Sequence, residues 1–174
     1  MTPRVDPEDL RRALAEAIAR YAPMLHVPQE ISAVGILRTI AEKETTSADR
    51  YAACLHERAY CYSGRYHTPA LAHEEWLYGC AVHCSWGPWQ IMFANAVMRG
   101  FTGDPVALRD PMVSGLFVVH HLNARVFDRF VDETPADVFD AWNSGTARDH
   151  IDPVEYKREA AIIYRRIMDG GLRT

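Results

Sequence analysis

The sequence predicts a mainly α-helical domain, and three observations carry that prediction. Seven of the ten prolines follow Asp or Thr, the pairing that caps a helix and opens its first turn. Apolar residues recur at three- and four-residue intervals after most of these pairs. Alternating apolar and polar runs of the strand type are nearly absent.

The elements follow in order. Thr2-Pro3 and Asp6-Pro7 precede Leu10, Leu14, Ile18 and Tyr21, one stripe of a helix over roughly 7–21. The run from Ala33 to Glu44 has apolar residues at 33, 37, 40 and 41, again one helical face. A small irregular or β segment is expected in the cysteine-containing stretch 50–68, which ends at Thr68-Pro69. Asp104-Pro105 is followed by Asp110-Pro111, after which Met112, Gly115, Leu116, Val119, Leu122 and Val126 form a stripe. Leu116, Phe117 and Val118 widen it, as a central helix requires, and at most one of His120 and His121 can face the core. Thr134-Pro135 opens a further helix, and Asp152-Pro153-Val154-Glu155 has the Glu of a capping box. Tyr156, Ala160, Ile163 and Ile167 then share the inward face of the last helix. No internal repeat or low-complexity tract is present.

At 174 residues, 48% hydrophobic and 24% charged, the chain suffices for a single domain around one core. A net charge of −4 argues against nucleic acid as a partner, since phosphates are bound through Lys and Arg. It also implies little long-range attraction to anionic wall polymers. No apolar run approaches the roughly 18 residues of a membrane span. The N-terminal residues are polar and acidic, with no apolar signal region behind them. The protein is therefore expected to act where it is made, or to leave by lysis or a signal-independent route, unless a leader has been removed.

Cys54, Cys61, Cys80 and Cys84 all lie between Glu44 and Ser85, and His56, His67, His73 and His83 fall in the same stretch. Two disulfides in any of three connectivities are open. Zinc ranks behind disulfides or buried thiols, because the tight C-x2-C spacing of common structural zinc sites is missing. Cys80 and Cys84 could face each other on a helix. No metal and no cofactor is expected.

Glu44 is the anomaly. It continues the apolar stripe of its helix where Leu or Ile would be expected, and burying an ionised carboxylate costs several kcal/mol. Such a group is paired, raised in pKa, or at the rim of a cleft. Glu42, on the polar face four residues after Arg38, reads as an ordinary solvated charge. Cleaving a glycosidic bond needs a carboxylic acid to protonate the leaving oxygen, and an apolar pocket suits that acid. Gln90 and Asn143 offer amides for sugar hydroxyls or N-acetyl groups, and Trp86 and Trp89 offer flat faces for pyranose rings. Tyr156, in the first turn of the last helix, could reach Glu44 or a substrate. Each has a plainer reading. Tryptophans and Tyr156 commonly fill cores, and Asn143-Ser144-Gly145 makes an acceptable helix C-cap and turn. Gln90, in an apolar run between Trp89 and Ile91, is the hardest to explain that way.

Three segments, taken in order, bear a resemblance. They are Ile40-Ala41-Glu42-Lys43-Glu44-Thr45, Ser85-Trp86-Gly87-Pro88-Trp89-Gln90-Ile91-Met92 and Ala141-Trp142-Asn143-Ser144-Gly145. With Tyr156 behind them, they are similar to the signatures of the soluble lytic transglycosylase family: I-A-x-x-E-S, S-x-G-L-M-Q, A-Y-N-A-G and a late Tyr. The resemblance covers roughly residues 31–168. It implies a lysozyme-like helical domain with a cysteine-containing insertion, a catalytic core over 31–168 and an N-terminal helical arm over 1–30. Glu44 takes the place of the catalytic acid. Thr45, Ser85, Trp89, Gln90 and Met92 would contribute to substrate binding, as would Trp142, Asn143 and Tyr156. Thr45 replaces Ser but keeps a hydroxyl, Trp142 replaces Tyr and loses a phenolic OH, and the interval from Glu44 to Ser85 is long for the family.

The implied activity is cleavage of the β-1,4 bond between N-acetylmuramic acid and N-acetylglucosamine in peptidoglycan, leaving 1,6-anhydro ends, with one Glu as acid and base. Peptidoglycan glycan strands would be the partner, and the cell wall, periplasmic or extracellular, the place of action. Two alternatives stand beside it: a hydrolytic muramidase like goose-type lysozyme, and a catalytically silent wall-binding or structural module. Hydrolases normally use two carboxylates. Asp49 and Glu57 are the nearest downstream candidates, and nothing in the spacing sets either across a cleft from Glu44.

Overall fold

The computed structural model describes residues 7–45, 55–56, 69–127, 134–144 and 153–170. Within them the fold is mainly helical. The elements are α1 (Pro7–Tyr21), α2 (Ala33–Glu44), β1 (Leu55–His56), α3 (Pro69–Tyr78), β2 (Cys84–Trp86), β3 (Ile91–Met92), α4 (Phe93–Val97), α5 (Pro111–Leu122), α6 (Pro135–Ser144) and α7 (Pro153–Gly170). Short 3-10 turns follow α1, α3 and α4, and a π turn over Asn123–Phe127 prolongs α5.

The Asp/Thr-Pro pairs mark the helix starts. Pro7, Pro69, Pro111, Pro135 and Pro153 are each the first residue of an α-helix, and Pro105 is the first of a 3-10 turn. Proline suits that position because its fixed φ is helical and the missing N–H would have had no intrahelical partner. Asp104 and Asp110 accept the N–H groups of Val106 and Met112, each at 2.8 Å. Thr134 caps α6 with help from Asp137, which accepts the Thr134 N–H at 3.0 Å, an Asp version of a capping box. Thr2-Pro3, Asp6, Thr68 and Asp152 lie outside the described residues.

One hydrophobic cluster joins these elements, from Ala17, Ile18 and Tyr21 of α1 to Tyr156 and Ala160 of α7. α1 lies against α5, while α2, α6 and α7 pack on one another. The inward residues of α5 include Gly115, Val118, Val119 and Leu122, and of its two histidines His121 is the buried one. Gly35 sets the spacing of α2 and α7. A Cβ there would stand 2.7 Å from the Tyr164 ring, whose hydroxyl accepts the Ser32 N–H at 3.0 Å.

The small sheet has three antiparallel strands in the order β1-β2-β3. Leu55 pairs with Ser85, and Ser85 with Met92. One strand falls in the expected 50–68 stretch. The other two lie on the Ser85-to-Met92 segment, where no strand was expected. The β2–β3 connection, Gly87 to Gln90, is closed by the Gln90 N–H donating to the Gly87 carbonyl at 3.0 Å. Gly87 has φ +71, and a Cβ there would lie 2.2 Å from the Leu108 carbonyl oxygen, so only glycine fits.

Cys80 and Cys84 do not share an α-helical face. After α3 the chain tightens into a 3-10 turn over Gly79–His83, and Cys84 opens β2. Cys80 is a free, exposed thiol. The buried Cys84 Sγ lies 3.7 Å from the Cys80 carbonyl oxygen, and the two sulfurs are not bridged. Cys54, Cys61 and His67 lie outside the described residues.

Candidate active site

The site is built where the last residue of α2 meets the first turn of α7. Ser32 starts α2 by accepting the Gly35 N–H at 3.1 Å, and the apolar stripe then turns Ile36, Leu37, Ile40 and Ala41 into the core. Glu44, next on that face, is only 2% exposed. Its Oε1 accepts a hydrogen bond of 2.8 Å from the hydroxyl of Tyr156, itself buried. A phenol donating to a buried carboxylate oxygen satisfies part of the desolvation cost and fixes the plane of the carboxyl group.

Lys43 supports the same corner. Its ammonium stands 5.2 Å from the centre of the Tyr156 ring and pairs with Glu159 one turn further along α7. That hydrogen bond, then the Lys43 charge, holds the Glu159 carboxyl below its ordinary value. Glu42 points outward and pairs with Arg166, in keeping with a solvated charge. Thr45, half-buried, caps the helix: its N–H donates to the Ala41 carbonyl at 3.0 Å and its hydroxyl to the same oxygen.

The hairpin is fastened to α2 by Trp89. Its indole N–H donates to the Leu37 carbonyl at 2.9 Å, and its side chain is 0% exposed. Gln90, at φ +49 and 2% exposed, is held within the turn. Its amide oxygen accepts from the Ser85 hydroxyl at 3.0 Å, and its NH2 donates to the Gly87 carbonyl at 2.8 Å. Met92 is in the core. Trp86 is also buried, with its N–H on the Ala81 carbonyl at 3.1 Å and the Arg109 guanidinium over its ring. The faces offered by Trp86 and Trp89 thus meet protein in this structure.

α6 brings in Trp142 and Asn143, both buried. The Trp142 indole N–H has no hydrogen-bond partner among the described residues, and the ring meets His121 edge-on at 5.9 Å. His121 is 4% exposed, and burial first, then the Arg99 and Arg125 charges, pull its pKa down to about 4. The imidazole is therefore neutral at pH 7.

The structure brings Glu44 and Tyr156 into contact and ties Ser85, Trp89 and Gln90 into one hairpin braced on α2. Thr45 and Met92 sit at the edges of these two units. Gly145, Asp49 and Glu57 lie outside the described residues. Lys43 and His121 had no assigned role in the sequence reading. The only signals for them were a charge beside Glu44 and one histidine of a helical pair. Among the described residues, His, Cys, Asp and Glu do not gather into a group of three suited to a metal ion, and no helix is long and apolar enough to cross a membrane. No protein-family model, characterised protein or solved structure matches the chain.

Proposed function

We propose that this protein cleaves the β-1,4 bond between N-acetylmuramic acid and N-acetylglucosamine in peptidoglycan, as a lytic transglycosylase with a lysozyme-like fold. The observation that supports the reading is the buried Glu44 carboxyl held by the Tyr156 hydroxyl at 2.8 Å. These two residues stand at the acid and late-Tyr positions of the family pattern.

In this reaction Glu44, protonated, gives its proton to the glycosidic oxygen as the bond from the muramic C1 breaks. The resulting carboxylate then takes the proton of the muramic C6 hydroxyl, and O6 closes on C1 to give a 1,6-anhydro ring. One carboxyl group serves both steps, and no water is consumed. The Tyr156 hydroxyl orients the carboxyl, and Lys43 adds a positive charge beside the phenol. The activity places the protein at the cell wall, periplasmic or extracellular.

A second reading is a catalytically silent wall-binding module on the same fold. It is motivated by Trp142, which lacks the phenolic hydroxyl of the family's Tyr, and by the net charge of −4.

The test is clearing of purified cell walls by the protein and by Glu44→Gln, with mass spectrometry of the products. Anhydro-muropeptides from the parent and none from a folded Glu44→Gln support the reading. Reducing ends would instead make it a muramidase of the goose-type kind. Sedimentation with walls and no soluble product would favour the silent module.

A further inference from the structure

A cavity of about 510 Å³ lies away from Glu44, lined by Met24, His26, Arg99, His120, Asn123 and Ala124. Three parts of the chain form it: the turn after α1, the end of α4 and the end of α5. Its volume falls within the range of about 300–1,000 Å³ typical of small-molecule sites.

Among the described residues that line it, Arg99 carries the one fixed charge, beside His26 and His120, and none of them is a carboxylate. The Arg99 Nε is buried with no hydrogen-bond partner, and Arg99 has no ion pair among the described residues. An arginine left this way keeps its donor fork available for a carboxylate or phosphate. Arg99 and Arg125 also both lower the pKa of His121, the neighbour of the lining residue His120.

Asn123 ties the rim: it accepts the His26 N–H at 2.9 Å on its side-chain oxygen and donates to the Met24 carbonyl at 2.8 Å. These bonds join the turn after α1 to the end of α5.

We propose that this cavity binds a small molecule with an oxyanion head, a carboxylate or a phosphate, through Arg99 and His120. Its flank would lie on Met24 and Ala124, because the space exceeds what an inorganic ion fills. No residue of the Glu44–Tyr156 corner takes part, so the inference stands or falls separately from the proposed activity.

Calorimetric titration of the full chain tests it with three probes: inorganic phosphate, acetyl-alanyl-alanine, and the same dipeptide as its C-terminal amide. Saturable binding of phosphate or of the dipeptide acid is expected, with the amide about tenfold weaker or more, as loss of a charge-assisted contact implies. Phosphate alone identifies phosphate esters as the source, and the acid alone identifies carboxylates. Arg99→Gln should weaken the preferred probe about tenfold, with His120→Asn as the second variant if Arg99→Gln does not fold. Absence of saturable binding for both anions overturns the proposal. So does equal affinity in the folded variants, which would leave these side chains serving the end of α5.

Discussion

The Tyr156 hydroxyl lies 2.8 Å from Glu44 Oε1, joining residues 112 positions apart at the junction of α2 and α7. Both side chains are almost wholly buried, so neither can be altered without effect on the other. Mutation can separate the proposed role of this contact in orienting an acid from a role in holding the fold.

Tyr156→Phe should keep the ring packing and remove only the donor. Taking this donor from a buried carboxyl oxygen costs about 1–3 kcal/mol, so wall clearing should fall about 5- to 100-fold while the protein stays folded. Clearing rates beside thermal unfolding check this. Unchanged clearing would remove the phenol from the mechanism.

Gly35→Ala tests the spacing of the two helices. Alanine favours the helix by about 1 kcal/mol over glycine, but its Cβ would meet the Tyr164 ring at 2.7 Å. That ring is held by its hydroxyl to the Ser32 N–H and cannot easily swing aside. Overpacking of about 1–3 kcal/mol should therefore win, giving net destabilisation in a urea titration and lower clearing.

Gly87→Ala is expected to be more severe. It adds a side chain at φ +71, with its Cβ 2.2 Å from a backbone oxygen that cannot rotate away. A loss of about 3 kcal/mol or more is expected, measured as a fall in the denaturation midpoint.

His121 predicts an acid sensitivity. Its folded pKa, about 4, is below its ordinary value of 6.5, so the unfolded chain binds the extra proton first. Stability from this group is complete above pH 6.5 and is lost as pH falls through 4, by on the order of 3 kcal/mol. Urea midpoints across that window should drop in the parent and stay flatter in His121→Phe, which keeps an aromatic edge against Trp142. Asp137 acts in the same direction at lower pH. Hydrogen bonds from Thr134 and Lys157 hold it at about 2, so its contribution fades between its ordinary 3.8 and 2.

Local signals in the chain were legible because they act within a few residues. Asp or Thr before Pro marks a helix start through one turn's hydrogen bonds, and six such prolines open a helix or 3-10 turn. The helical period likewise placed Glu44 and Tyr156 on inward faces. What escaped was pairing across distance. β2 and β3 are two or three residues long and buried throughout, so they carry no alternation to read. Gln90 drew attention as an amide in an apolar run. Its partners, Ser85 and Gly87, depend on a left-handed backbone that no periodicity encodes. The His121–Trp142 contact links two helices whose mutual packing is set only by the complete core.

The docking of α7 against α2 also bears on when the protein can act. Every earlier element can be synthesised while Glu44 still lacks the phenol that meets it and α2 and α6 still lack their packing partner α7. A chain released before Pro153 has no Tyr156 to offer, and a nascent chain has none until α7 clears the ribosome. Emergence of α7 is thus built into the site as a condition of its assembly.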